Sequence, residues 1–180
     1  MTAVSKGLAT EAEFLSLPES NQHIELVDGE VIRAPSPTLR HQEILGRVYE
    51  ALRTWVRAQK IDTTVVQAPL DVRFAPGRIL QPDVMAFLPA LRANTELPVT
   101  RIPNLVIEVV STNRTYDRVA KRAIYGVAGV LEYWLVDIIN DHVEVCFADG
   151  LASSRIEIAD VASPLLAHFK LDVATLFAQS

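Results

Sequence analysis

Cysteine occurs once in the 180 residues, at Cys146, which excludes an internal disulfide framework and a Cys-rich zinc site. The 7 glycines are scattered. None forms GxGxxG, or GxxxxGK followed by Ser or Thr, so a doubly wound nucleotide-binding fold is disfavoured. No apolar run approaches the ~18 residues of a membrane-spanning helix, so no membrane partner is expected. Met1 to Thr10 carries one lysine and no apolar core segment, unlike a signal peptide, which makes the cytoplasm the expected compartment. Positive charge is also in deficit. Lys and Arg number 17 against 22 Asp and Glu, and the resulting −5 argues against a non-specific polyanion binder.

Hydrophobic residues make up 49% of the chain and charged ones 22%, enough apolar material to offset the entropy of ordering the backbone. Residues 1–180 read as a single domain, with a short N-terminal helix and a C-terminal helix as extensions. There is no repeat, low-complexity tract or linker. The charge is uneven, however. Residues 33–60 hold six cations against Glu43 and Glu50, and residues 101–125 hold five against Glu108 and Asp117. These segments are either solvated helix faces or, if the fold joins them, one basic face on an acidic body.

Thr10-Glu11-Ala12-Glu13 has the form of a capping box opening a short helix that stops at Pro18. Residues 23–27 and 30–32 flank Asp28-Gly29, a two-residue hairpin turn. From Thr38 to about Gln59 the apolar residues recur in steps of three, four and one, predicting an amphipathic helix. Extended character follows in 63–67 and 70–74, then in 83–88 and 105–110, with a Pro-rich loop and a possible helical turn at 90–97 between the last two. A second helix is predicted over 115–127, a hairpin over 132–139 and 142–148, an edge strand near Ile156 and Ile158, and a helix over 171–177. Successive strands flanked by helices fit an α/β fold with a mixed central sheet.

Two strand acids stand out. Asp83 heads Asp83-Val84-Met85-Ala86-Phe87-Leu88, and Glu108 lies inside Leu105-Val106-Ile107-Glu108-Val109-Val110. A carboxylate in an apolar strand is costly to bury unless it is paired, protonated or bound to a cation. Two on neighbouring strands repel unless a metal lies between them, and oxygen-only ligation suits Mg²⁺. The alternative is an outward-facing Glu108 on an edge strand, or one paired with an arginine.

Gln81-Pro82-Asp83, followed by Glu108 in a strand ending Val110-Ser111, resembles the signature of the PD-(D/E)XK nuclease superfamily. More specifically, the chain resembles the Uma-type putative restriction endonuclease family of bacteria. The likeness runs from Ile24-Glu25-Leu26-Val27-Asp28-Gly29-Glu30 through Pro35-Ser36-Pro37, His41, Pro82-Asp83 and Pro103 to Ser111. It ends with Arg114, Asp117, Lys121, Tyr125 and the block Gly129 to Asp137. Leu131 stands where the family often has Pro, and Val110 where it often has Leu.

The resemblance implies a restriction endonuclease-like core acting on DNA, with Mg²⁺ as cofactor and Mn²⁺ as substitute. It names Asp83, Glu108 and the backbone carbonyl of Val109 as metal ligands. The superfamily lysine usually follows the second acid by two residues, where this chain has Val110; the family instead points to Lys121 on the next helix. Glu25 would be an accessory acid, and His41 and Glu30 would stand near the cleft. Arg114, Arg118 and Arg122 would meet the DNA backbone, and a homodimer would let two strands be cut symmetrically. Read as plain structure, Lys121 belongs to a solvated helix face, His41 merely starts its helix, and Glu25 or Glu30 pairs with Arg33. Tyr125, Tyr133, Trp134 and Cys146 are read as core. Two other functions stay open: a catalytically silent binding or assembly module of the same fold, and a metal-dependent hydrolase of another phosphate ester.

Overall fold

The computed structural model describes residues 2–3, 8–18, 22–110 and 115–178. After a two-residue strand β1, Thr2–Ala3, Thr10 and Glu13 close the expected reciprocal capping box and open α1, Glu11–Leu15. Strands β2, Ile24–Val27, and β3, Glu30–Arg33, form the expected hairpin. Its turn residues Asp28 and Gly29 both take positive φ, at 51° and 90°, which explains the Asp-Gly pair.

Thr38 caps α2, Leu39–Gln59, by accepting the His41 N–H, and Lys60 ends it in the left-handed region. Ile44, Leu45, Val48 and Leu52 are buried along one face. At roughly 1.5–3 kcal/mol each they hold the helix more firmly than its cap, which contributes about 1 kcal/mol.

Strands β4, Thr64–Gln67, β5, Val72–Ala75, β6, Arg78–Leu80, β7, Val84–Phe87, and β8, Leu105–Val110, come next. A π-helical turn, Tyr116–Lys121, runs directly into α3, Arg122–Ala128. The chain then forms β9, Glu132–Asp137, β10, His142–Phe147, a 3₁₀ turn at Asp149–Leu151, and β11, Ser153–Glu157. It ends with β12, Asp160–Ala162, β13, Lys170–Asp172, and α4, Val173–Phe177, capped by Asp172. Three expectations are corrected. Residues 90–97 hold only a turn at Ala93 and Asn94, Leu70 lies outside β5, and Leu171 is in β13 rather than in the last helix.

The main sheet is mixed, in the order β11-β10-β9-β8-β7-β4, with β8 and β9 parallel and every other pair antiparallel. A second sheet runs β1-β3-β2-β6-β5. On one face of the main sheet, Leu105, Ile107 and Val109 of β8 pack with α2 and the C-terminal Phe169, Leu176 and Phe177. On the other, Val106 and Val110 pack with Ile124 and Tyr125 of α3 and with Val72, Phe74 and Leu80 of the second sheet. Period-two alternation puts Glu108 on this second face, in the slot between Val106 and Val110. The fold therefore carries a carboxylate into the seam between two sheets and a helix. Trp134, Tyr133 and Cys146 are fully buried, as expected, and burial pushes the Cys146 thiol up to about 11.

Candidate active site

Asp83 sits one residue before β7, at the point where β7 and β8 separate. The ladder between them ends at Val84 opposite Ile107, and the residue that would face Val109 next is Pro82, which has no N–H to offer the Val109 carbonyl. The Val109 N–H goes to the Asp83 side chain, whose Oδ2 accepts it at 2.7 Å. The same oxygen lies 3.4 Å from His41 Nε2, which reaches in from the first turn of α2. His41 Nδ1 is buried without a partner.

Glu108 faces α3. Its Oε1 accepts from Tyr125 Oη at 2.7 Å and from Lys121 Nζ at 2.9 Å. The Lys121 ammonium also lies 3.0 Å from Glu25 Oε1 and 3.9 Å from Asp117 Oδ1. Glu25 Oε1 accepts the Gln81 N–H and contacts His23 Nε2, each at 3.2 Å. Tyr116 Oη reaches Glu25 Oε2 at 3.5 Å. Glu25, Glu108, Lys121 and Asp83 are 1%, 4%, 2% and 7% exposed. The solvated-face reading of Lys121 is thereby overturned.

One ammonium serves three acids, and the consequences are unequal. Burial pushes Glu25 up, but Lys121 and His23 outweigh it and hold the carboxyl at about 2. Burial pushes Glu108 well above the usual carboxylate range; Lys121 opposes this, while Asp83, Asp117 and Glu25 reinforce it. Asp117 is likewise raised by burial, to about 6, against the pull of Lys121. Burial works against the charge on Lys121, yet Glu108, Glu25 and Asp117 together hold it firmly protonated. The cluster is therefore short of positive charge, and Glu108 bears most of that shortfall.

Among the described residues no three His, Cys, Asp or Glu side chains form a ready-made cation cage. Mg²⁺ does not require one, since it commonly takes one or two carboxylates and keeps its waters. Asp83 uses Oδ2 and Glu108 uses Oε1, so each has its other oxygen unbonded among the described residues. An all-oxygen donor pair in a site of surplus negative charge fits a hard divalent cation.

The remaining expected residues fall elsewhere. Glu30, opposite Val27, is exposed at the turn end of its hairpin and bonds to none of these groups. Arg33 pairs with neither glutamate and donates to Gln22 at 2.7 Å. Arg118 bridges Asp137, at 3.1 Å, and Glu144. Arg122 donates to the Leu151 carbonyl at 2.9 and 2.6 Å and pairs with Glu144. Both guanidinium groups thus serve to dock the π-helical turn and α3 onto the sheet and the 3₁₀ turn, not to display charge. Arg114 lies outside the described residues.

Sequence reasoning overlooked His23 and Tyr116, counted Asp117 in the family likeness without giving it a role, and read Tyr125 as core. Two signals were available. His23 and Glu25 are two apart in extended chain and so share a face, and Asp117 and Lys121 have helical i, i+4 spacing.

Comparison with known proteins places the fold and the family. A solved structure of a putative nuclease of the DUF820 group from Anabaena variabilis superposes with a TM-score of 0.77. The alignment covers 93% of this chain and 97% of that one at 24% identity, which establishes a shared fold. No curated protein matches the chain. The family model described as putative restriction endonuclease matches residues 11–174, from α1 to the start of α4. The chain thus belongs to the Uma2 family of putative restriction endonucleases.

Proposed function

We propose that the protein is a metal-dependent endodeoxyribonuclease, hydrolysing DNA phosphodiester bonds at the Asp83–Glu108–Lys121 cluster. The observation that carries this reading is the geometry around Glu108, a buried carboxylate held by a tyrosine and a lysine beside a second strand acid fixed on the Val109 N–H. Membership of the Uma2 family and the likeness to a structure described as a putative nuclease support it.

In this reading Asp83, Glu108 and the Val109 carbonyl would hold Mg²⁺, with Mn²⁺ as substitute. The cation would supply Lewis-acid polarisation of a phosphate oxygen and a lowered pKa for a water. The protein's own groups do the positioning. Val109 N–H and His41 fix one oxygen of Asp83, and Tyr125 and Lys121 fix one of Glu108, so both carboxylates are preorganised before any ligand arrives. Lys121 stands ready to orient the attacking water and to offset charge growing on the phosphate in an in-line displacement that leaves a 5′-phosphate. Glu25, ionised across the neutral range, anchors the ammonium from the other side.

The test is titration of Mg²⁺ and Mn²⁺ into wild-type protein and Asp83→Ala, each then incubated with supercoiled plasmid. Metal-dependent nicking lost in the variant is the expected result. Absence of binding at millimolar Mg²⁺ would remove the active-site claim and favour a silent module of the same fold.

A further inference from the structure

A cluster of arginines lies away from the Asp83–Glu108 site. The loop after β7 and the segment leading to β8 enclose a cleft of about 690 Å³ lined by Arg73, Arg92, Arg101, Thr95, Thr100 and Glu96, among others. Arg73 projects from β5, on the face opposite the one Val72 and Phe74 bury, and pairs with Glu11 through Nη2, while its Nε is buried without a partner. Arg101 donates to the carbonyls of Pro89 and Ala90, which braces the loop but leaves its charge uncompensated by any carboxylate. Arg92 is exposed, and among the described residues its guanidinium has no partner. Glu96 is the one acid in the lining. In a chain of net charge −5, two guanidinium groups without carboxylate partners, beside hydroxyl groups, offer the kind of donors that phosphate oxygens accept from.

We infer that this cleft binds a backbone phosphate of the DNA substrate, outside the cutting centre; the inference rests on the nuclease reading. Position supports a role on the same duplex. Pro89 follows Asp83 by six residues of mostly extended chain, about 20 Å at ~3.3 Å per residue. That span matches about six nucleotide steps along one strand at 3.4 Å each. The contact would add affinity and set orientation without reading sequence. It also supplies the basic surface that Arg118 and Arg122, held internally, do not.

Arg92→Ala is the decisive variant, because the side chain holds nothing in place. Binding of a labelled 20-base-pair duplex is measured in EDTA across a salt series, for wild type, Arg92→Ala, Arg92→Lys and Arg53→Ala, with urea midpoints recorded for each. Arg53 is exposed on α2, against the opposite face of the main sheet. The expected result is a several-fold rise in Kd for Arg92→Ala, with its log–log salt slope smaller by about 0.9. Arg92→Lys should keep the slope, Arg53→Ala should match wild type, and in plasmid nicking Arg92→Ala should raise KM with kcat unchanged. Equal binding by wild type and Arg92→Ala, in a protein that still nicks plasmid with metal, overturns the cleft and leaves the nuclease reading intact. A wild type that neither binds duplex nor nicks plasmid overturns both.

Discussion

Asp83 and Val109 are joined at the place where their strands part, side-chain carboxylate to backbone N–H at 2.7 Å. That bond does two things together. It satisfies the Val109 donor beyond the end of the ladder, and it fixes the first acid of the cluster one strand away from the second.

Lys121→Met removes the ammonium from three buried or half-buried acids, leaving Glu25 and Glu108 uncompensated. Loss of one partner from a buried ion pair costs about 3–5 kcal/mol. The urea midpoint should therefore fall sharply at neutral pH. Adding Glu25→Gln to Lys121→Met should recover a substantial part of the loss, because it removes one stranded charge. A double variant as unstable as the single one would show that the ammonium is not what balances Glu25. Activity measured on the refolded double variant then separates chemistry from folding.

Tyr125→Phe removes one hydrogen bond to Glu108 and nothing else of volume. Partners of a ligand carboxylate typically contribute 10–100-fold to metal affinity or activity. Mn²⁺ affinity, followed by calorimetry, should fall by roughly 10-fold while the far-ultraviolet circular dichroism is unchanged. An unaltered affinity would assign Tyr125 to core packing alone.

Asp117, raised to about 6, makes the metal-free protein sensitive to pH. A carboxyl whose folded pKa exceeds its unfolded value favours the fold most below the unfolded value, near 3.8, and that advantage is lost as pH rises through 6. Asp117→Asn should thus be more stable than wild type at pH 7.5 in EDTA, with the gap closing as pH falls toward 5. Thermal melts at both pH values test this; a gap that widens on acidification has the wrong sign.

Gly126 of α3 meets the 3₁₀ turn so closely that a Cβ would stand 2.4 Å from the Gly150 carbonyl oxygen. Backbone rather than a flexible side chain is in the way, so either α3 or the 3₁₀ turn must shift, and the helix is the element expected to move. Gly126→Ala should lower the melting temperature and, by moving the helix that carries Tyr125 and follows Lys121, reduce nicking more than the stability loss alone explains. Retained melting temperature and activity would mean that the turn at Gly150 can yield.

Much of this was readable locally. The 3.6-residue rhythm of Ile44, Leu45, Val48 and Leu52 marks α2, Asp28-Gly29 marks its hairpin, and a lone acid in an apolar strand marks Asp83 and Glu108 as costly placements. What escaped was decided by partners distant in sequence. Arg78–Leu80 is too short to show alternation and becomes a strand by pairing with β2 and β5. Strands β12 and β13 have only each other as partners in the small third sheet. Lys121 looks like a surface residue between Arg118 and Arg122 until Glu25, ninety-six positions earlier, covers it. Helical spacing alone cannot distinguish a solvated face from one turned into a sheet seam.

The π-helical turn at Tyr116–Lys121 has a wider meaning for how such centres are found. Val110, two residues past Glu108, is packed in the core on the same face, so the strand offers no place for a cation-bearing side chain there. The ammonium arrives instead from thirteen residues downstream, set by how many residues the turn winds in. Deleting one residue from that turn would rotate Lys121 by roughly a quarter turn relative to the chain preceding it, the π-winding being wider than the α-helix. Spatial position is thus set by coil geometry rather than by linear distance from Glu108. A search keyed to the acid–x–lysine interval would pass over this chain; one keyed to the contact would not.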